Sequence, residues 1–132
     1  MIREDYVGFE IAKLLKEKGF EGECLGVYFP DGRFDTFDTA FNYNLPIGNL
    51  SHAINAPTLQ MAMKWLREIY KLEVRSTCDY DKDSWWGSIN PMFEETDENS
   101  NIYQKALRFD YQGKSYEESC EAAIKYCLEN LI

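Results

Sequence analysis

The sequence predicts an α+β fold, a single small antiparallel sheet of about four to five strands packed against three helices in the order α-β-β-α-β-β-β-α. Three observations predict it. Apolar residues recur at helical spacing near the start, middle and end of the chain. Residues 72–80 alternate with period two, as a half-buried strand does. Turn-forming residues punctuate the segments between them. With 132 residues, the chain fits one domain spanning 1–132, within the usual size of roughly 100–150 residues.

The first helix is expected from about Tyr6 to Lys18, with Val7, Ile11, Leu14 and Leu15 on its apolar side. Gly19 follows a basic last turn as a C′ residue, and Phe20 is placed to fold back onto the helix end. Cys24–Phe29 reads as a strand, Pro30-Asp31-Gly32 as a turn, and Arg33–Phe37 as the return strand. Residues 38–56 are the least regular stretch, rich in Asn with interleaved apolar residues. Long structureless loops are uncommon, so this segment is either packed on the core by its apolar residues, Phe41, Tyr43, Leu45, Ile47 and Leu50, or functional, with packing the favoured reading.

Thr58 is the expected N-cap of a second helix reaching about Tyr70, with Ala62, Trp65, Leu66, Ile69 and Tyr70 as its buried stripe. Lys71–Tyr80 is the clearest strand. Asp81-Lys82-Asp83-Ser84 turns it into Trp85–Ile89, which Pro91 should end. Glu94–Asn101 reads as an acidic loop, Ile102–Tyr111 as a further strand, and Gln112-Gly113-Lys114 as the turn into the last helix. That helix, Ser115 to about Leu131, has the best local signature. Ser115-x-x-Glu118 is a capping box, acids load the first turns, and Cys120, Ala123, Ile124, Cys127, Leu128 and Leu131 form one stripe. Two hairpin-then-helix units suggest a duplication, but the caps Thr58 and Ser115 lie 57 residues apart while the apolar stripes match at an offset of 58.

Formal net charge is −9, from 23 acids against 14 bases. That balance disfavours direct nucleic-acid binding and an anionic membrane surface. No apolar run approaches the roughly 20 residues of a membrane span. Acids occupy the N-terminal positions where a signal peptide is basic, which points to the cytoplasm. Seven acids fall between Asp79 and Glu98, opposed only by Lys82.

No motif supplies chemistry. Cys24, Cys78, Cys120 and Cys127 contain no C-x-x-C pair and read as small buried apolar residues in a reducing compartment. Asp79-x-Asp81-x-Asp83 opens like a calcium loop, but Ser84 and Asn90 stand where that loop needs Gly and Glu. His52, the only histidine, has no nucleophile placed beside it by sequence. No glycine-rich phosphate loop is present. No catalytic residue, cofactor-binding residue, metal ligand or cofactor is therefore assigned. The candidate interaction surface is Trp85, Trp86, Asp79, Asp81 and Asp83. Adjacent strand residues point to opposite faces, so Trp85 and Trp86 cannot share one core, and an exposed Trp beside acids suits a binding hot spot.

Residues 56–68 (APTLQMAMKWLRE), 9–20 (FEIAKLLKEKGF) and 115–123 (SYEESCEAA) resemble a group of small uncharacterised proteins of Bacteroides-type bacteria and their phages and prophages. The resemblance implies a mobile-element context and a stand-alone cytoplasmic protein, and it brings no known activity. The tail, a strand followed by Gly113-x-Ser115-Tyr116-Glu117-Glu118, is also similar over about twenty residues to HicB-type antitoxin domains. The DNA-binding tail those antitoxins usually carry would lie beyond Ile132. Three classes of function follow. The first is a non-catalytic interaction or accessory module with an unidentified protein partner, a second copy of the chain included. The second is an acidic, nucleic-acid-mimicking inhibitor of a host protein, and the third a small enzyme using His52 or a carboxylate pair.

Overall fold

The computed structural model describes residues 4–45, 52–79, 84–92, 94–96, 102–104 and 107–132. The described residues form an α+β fold with three helices and antiparallel strands. The chain divides into two compact units, Met1–Ala62 and Met63–Ile132.

In the first unit, α1 (Phe9–Glu17) buries Ile11, Ala12 and Leu15. It starts three residues later than periodicity predicts. Val7 is fully buried but belongs to an extended lead-in, where its N–H donates to the Pro57 carbonyl at 3.0 Å. The helix ends as expected. Gly19 has φ 91°, its N–H donates to Lys16 O at 3.2 Å, and Phe20 N–H donates to Leu15 O at 2.9 Å. These are the two bonds of a Schellman motif, and the left-handed backbone they need suits glycine.

Three strands follow: β1 (Cys24–Tyr28), β2 (Phe34–Phe41) and β3 (Ile54–Ala56), in the order β2-β1-β3. The hairpin closes through Gly32 N–H to Phe29 O at 2.8 Å and Phe29 N–H to Arg33 O at 2.9 Å. β2 runs beyond the expected Phe37, and its register shifts where residues 37–40 correspond to Leu25 alone.

β3 falls inside the stretch read as irregular. It is held by a buried amide network rather than by long strand pairing. Asn55 Oδ1 accepts from Tyr43 N–H at 2.6 Å, while Asn55 Nδ2 donates to Gly22 O at 3.0 Å and to Asn42 Oδ1 at 2.7 Å. Asn44 closes the set, accepting from Asn55 N–H at 3.0 Å and donating to Phe20 O at 2.8 Å. Buried polar groups need such partners, and this net fixes the segment against a small core of Val27, Tyr43 and Ala53. Of the residues named for packing this stretch, Tyr43 is buried, whereas Phe41 and Leu45 are exposed, a correction to the expectation for those two; Ile47 and Leu50 lie outside the described residues.

α2 (Leu59–Tyr70) spans the unit boundary. Thr58 caps it, its Oγ1 accepting from Met61 N–H at 3.2 Å. The buried positions are Leu59, Ala62, Met63 and Leu66, whereas Ile69 is 61% exposed. The buried stripe is therefore turned toward Leu59 and Met63 compared with expectation.

In the second unit, β4 (Leu72–Asp79), β5 (Ser84–Pro91) and β8 (Leu107–Gly113) form a sheet in the order β4-β5-β8. A separate ribbon pairs β6 (Glu94–Thr96) with β7 (Ile102–Gln104). The strands are thus divided among sheets, where the alternation pattern suggests one. The stretch expected as a loop contributes β6, and the strand expected over 102–111 is split into β7 and β8. α3 (Tyr116–Asn130) packs on all three strands of the larger sheet. Its Cys120, Ala123, Ile124, Cys127 and Leu128 have no exposed surface.

The cap of α3 differs in one half from the expected box. Ser115 Oγ accepts from Glu118 N–H at 3.1 Å. Glu118 reaches one residue further back, accepting from Lys114 N–H at 3.3 Å and from the Tyr111 hydroxyl at 2.9 Å. The tyrosine draws the carboxylate toward the strand, and that bond is the first cause of the raised Tyr111 pKa. Among the described residues no helix is long and apolar enough to cross a membrane.

Candidate functional site

The candidate surface starts from the register of β4 and β5. Cys78 stands opposite Trp85, Thr77 opposite Trp86, and Asp79 opposite Ser84. Two contacts decide which side faces α3. The Ser76 and Ser119 hydroxyls are hydrogen-bonded, and the Trp85 ring meets Tyr116 edge-on at 5.7 Å and 84°. By strand alternation, Val74, Ser76, Trp85, Gly87 and Ile89 share that inner side.

The side turned away from α3 then carries Glu73, Arg75, Thr77, Trp86, Ser88 and, across from Trp86 on β8, Gln112. Trp86 is 39% exposed in the middle of these polar neighbours. Arg75 is held by a charge-assisted bond to Glu73, which also raises the guanidinium pKa. Trp85 and Trp86 therefore point to opposite sides. Of the other candidate residues, Asp79 is half-buried at the end of the same polar face. Asp81 and Asp83 lie outside the described residues. So do the side chains of Glu94, Glu95, Asp97 and Glu98, and with them the shape of the acidic cluster.

The cysteines separate into two groups. Cys24, Cys120 and Cys127 are buried, as expected. Burial pushes the Cys24 and Cys127 thiols up to about 12. It also raises Cys120, against an opposing contribution from Tyr116 and Ser76. Such thiols are poor nucleophiles, because the thiolate is the reactive form. Cys78 is exposed, a correction to its reading as a buried residue. It stands opposite Trp85 near the end of β4. His52 is exposed on a turn. Among the described residues no group of three or more His, Cys, Asp or Glu is placed to hold a metal ion.

Periodicity did not reveal a second feature, in the first unit. All eight residues of β2 are exposed, with Phe34, Phe37 and Phe41 at 40%, 37% and 41%. Rings touch in series there, Tyr6 to Phe34 and Phe34 to Tyr28, each at 5.2 Å between centroids. Beside them lies an open cleft of about 170 Å³ floored by Tyr6, Leu25, Pro57 and Met61, with Glu4 and Glu23 among its lining. The floor depends on Gly26, because a Cβ there would stand 2.6 Å from Ala56 O and 2.8 Å from the Tyr6 ring.

No protein-family model, no curated protein and no solved structure matches this chain.

Proposed function

We propose that this chain is a non-catalytic protein-interaction module, an accessory protein of phage or prophage origin, and that its partner docks on the face carrying Trp86. The observation that carries this reading is the separation of the two tryptophans. Trp85 is taken up by Tyr116 of α3, whereas Trp86 stays substantially exposed among Thr77, Ser88 and Gln112. Tryptophan is the residue most enriched at binding hot spots, and a polar surround suits the rim that excludes water from such a centre.

The buried thiols of Cys24, Cys120 and Cys127 are held in the protonated, poorly nucleophilic form, which supports a binding role for the chain over one in thiol catalysis at these positions. The excess of acids between Asp79 and Glu98 supports a second reading, an acidic mimic presented to a basic host protein. Salt separates the two. Trp86→Ala should weaken partner capture by about 30-fold, a hot-spot loss of roughly 2 kcal/mol. Capture should then persist at 0.5 M salt. Loss of the partner on adding salt, with no effect of Trp86→Ala, would favour the acidic mimic instead.

A further inference from the structure

We infer that the cleft of the first unit is a second binding site, which takes a basic side chain projecting from an otherwise apolar segment of a partner protein. Size is the first argument. At about 170 Å³ the cleft falls below the roughly 300 Å³ at which small-molecule pockets begin. One long side chain fills it better than a cofactor would.

Lining chemistry is the second argument. The floor is apolar, from Tyr6, Leu25, Pro57 and Met61, and the charged groups are Glu4 and Glu23, with no basic residue among the described lining residues. An aliphatic stem ending in a cation matches that arrangement. The stem covers the floor while the charged head stays near water and the carboxylates. Arginine suits it best, because a planar guanidinium can bond carboxylates in a fork and also lie on the Tyr6 ring.

Exposure is the third argument. Leu25 and Met61 are 42% and 38% exposed, so the floor is apolar surface that no described residue of this unit covers. It continues through the contact of Tyr6 with Phe34 onto the exposed aromatic strand β2. A partner segment would therefore carry apolar residues on either side of its basic one. The net charge of −9 draws a basic segment toward the protein at long range.

The test uses three peptides, Ac-Leu-Arg-Leu-NH₂, the uncharged Ac-Leu-norleucine-Leu-NH₂ and the acidic Ac-Leu-Glu-Leu-NH₂. Each is titrated into the full chain while the methyl signals of Leu25, Ala56 and Met61 are followed by NMR at low salt. The arginine peptide should shift those methyls saturably, with affinity about fivefold weaker for Glu4→Gln/Glu23→Gln. The other two peptides should bind more weakly still. Both glutamates are exposed, so the variant is expected to keep the wild-type spectrum elsewhere. Equal binding of the norleucine peptide, an unchanged affinity in the double variant, or shifts confined to other residues would each overturn the inference. None of these outcomes depends on Trp86, so this site and the proposed docking face stand or fall separately.

Discussion

Removing the Asn55 side chain would strip partners from the Tyr43 N–H, the Gly22 carbonyl and the Asn42 amide. Asn55 is itself only 1% exposed, so water cannot readily replace those bonds. Each buried polar group left unpaired costs about 1–3 kcal/mol. Asn55→Ala should accordingly lower stability by about 3 kcal/mol, read as a fall in the urea midpoint at constant slope. A change below 1 kcal/mol would mean that the amide net is incidental. The thiols make a separate prediction with a definite sign. Cys24 and Cys127 have folded values near 12 against an ordinary 9.0. The unfolded chain therefore loses these protons first as pH rises. Their contribution to stability is fully present below about pH 9 and is lost progressively toward pH 12. Stability should decline across that window, and Cys24→Ala/Cys127→Ala should flatten the decline while lowering stability at neutral pH. An unflattened profile would show that other groups govern the alkaline limb.

At the scale of elements, the ends were more legible than the faces. Gly19, Thr58 and Ser115 announce their caps because capping is local chemistry between residues a few positions apart. The buried stripe of α3 was equally legible for Cys120, Ala123, Ile124, Cys127 and Leu128, whereas Leu131, the last of the six expected positions, is the half-buried C-cap. The stripe of α2 was not, because Trp65, Ile69 and Tyr70 offer a second apolar side and only tertiary packing chooses between them. The same limit hid the division into sheets. Alternation in Leu72–Asp79 says that a strand exists, not which strand it pairs with. β3, with three residues, is held by side-chain amides and has no periodic signal. One helix end also departs from the local rule. α2 is followed by Lys71 at φ 57°, the left-handed position that usually holds glycine and that costs a residue with a Cβ about 1–2 kcal/mol. Part of that strain should be recovered by Lys71→Gly, which is expected to stabilise the chain by about 0.5–1 kcal/mol. A loss in thermal unfolding would show that the lysine side chain contributes more than its backbone strain costs.

For the whole molecule, the candidate site was half legible. That Trp85 and Trp86 diverge follows from strand geometry alone. Which of them faces α3 required the contact with Tyr116. The exposed aromatic strand and the cleft beside it were not foreseen, because the three phenylalanines among the eight residues of β2 suggest burial, although two Asp and two Thr share the strand. The two units thus offer distinct surfaces, one centred on Trp86 and one on Leu25 and β2, carried by a strongly acidic chain. The most direct measurement of the central claim is a paired affinity capture from a lysate of the proposed Bacteroides-type host. Wild type, Trp85→Ala and Trp86→Ala serve as baits, with the urea midpoint of each recorded. Trp85→Ala should lose about 1–3 kcal/mol of stability, as a half-buried packed ring does. Trp86→Ala should stay within about 0.5 kcal/mol of wild type, as an exposed residue does, yet lose a protein that wild type retains at high salt. An unchanged capture profile for Trp86→Ala, or a stability loss equal to that of Trp85→Ala, would contradict the account.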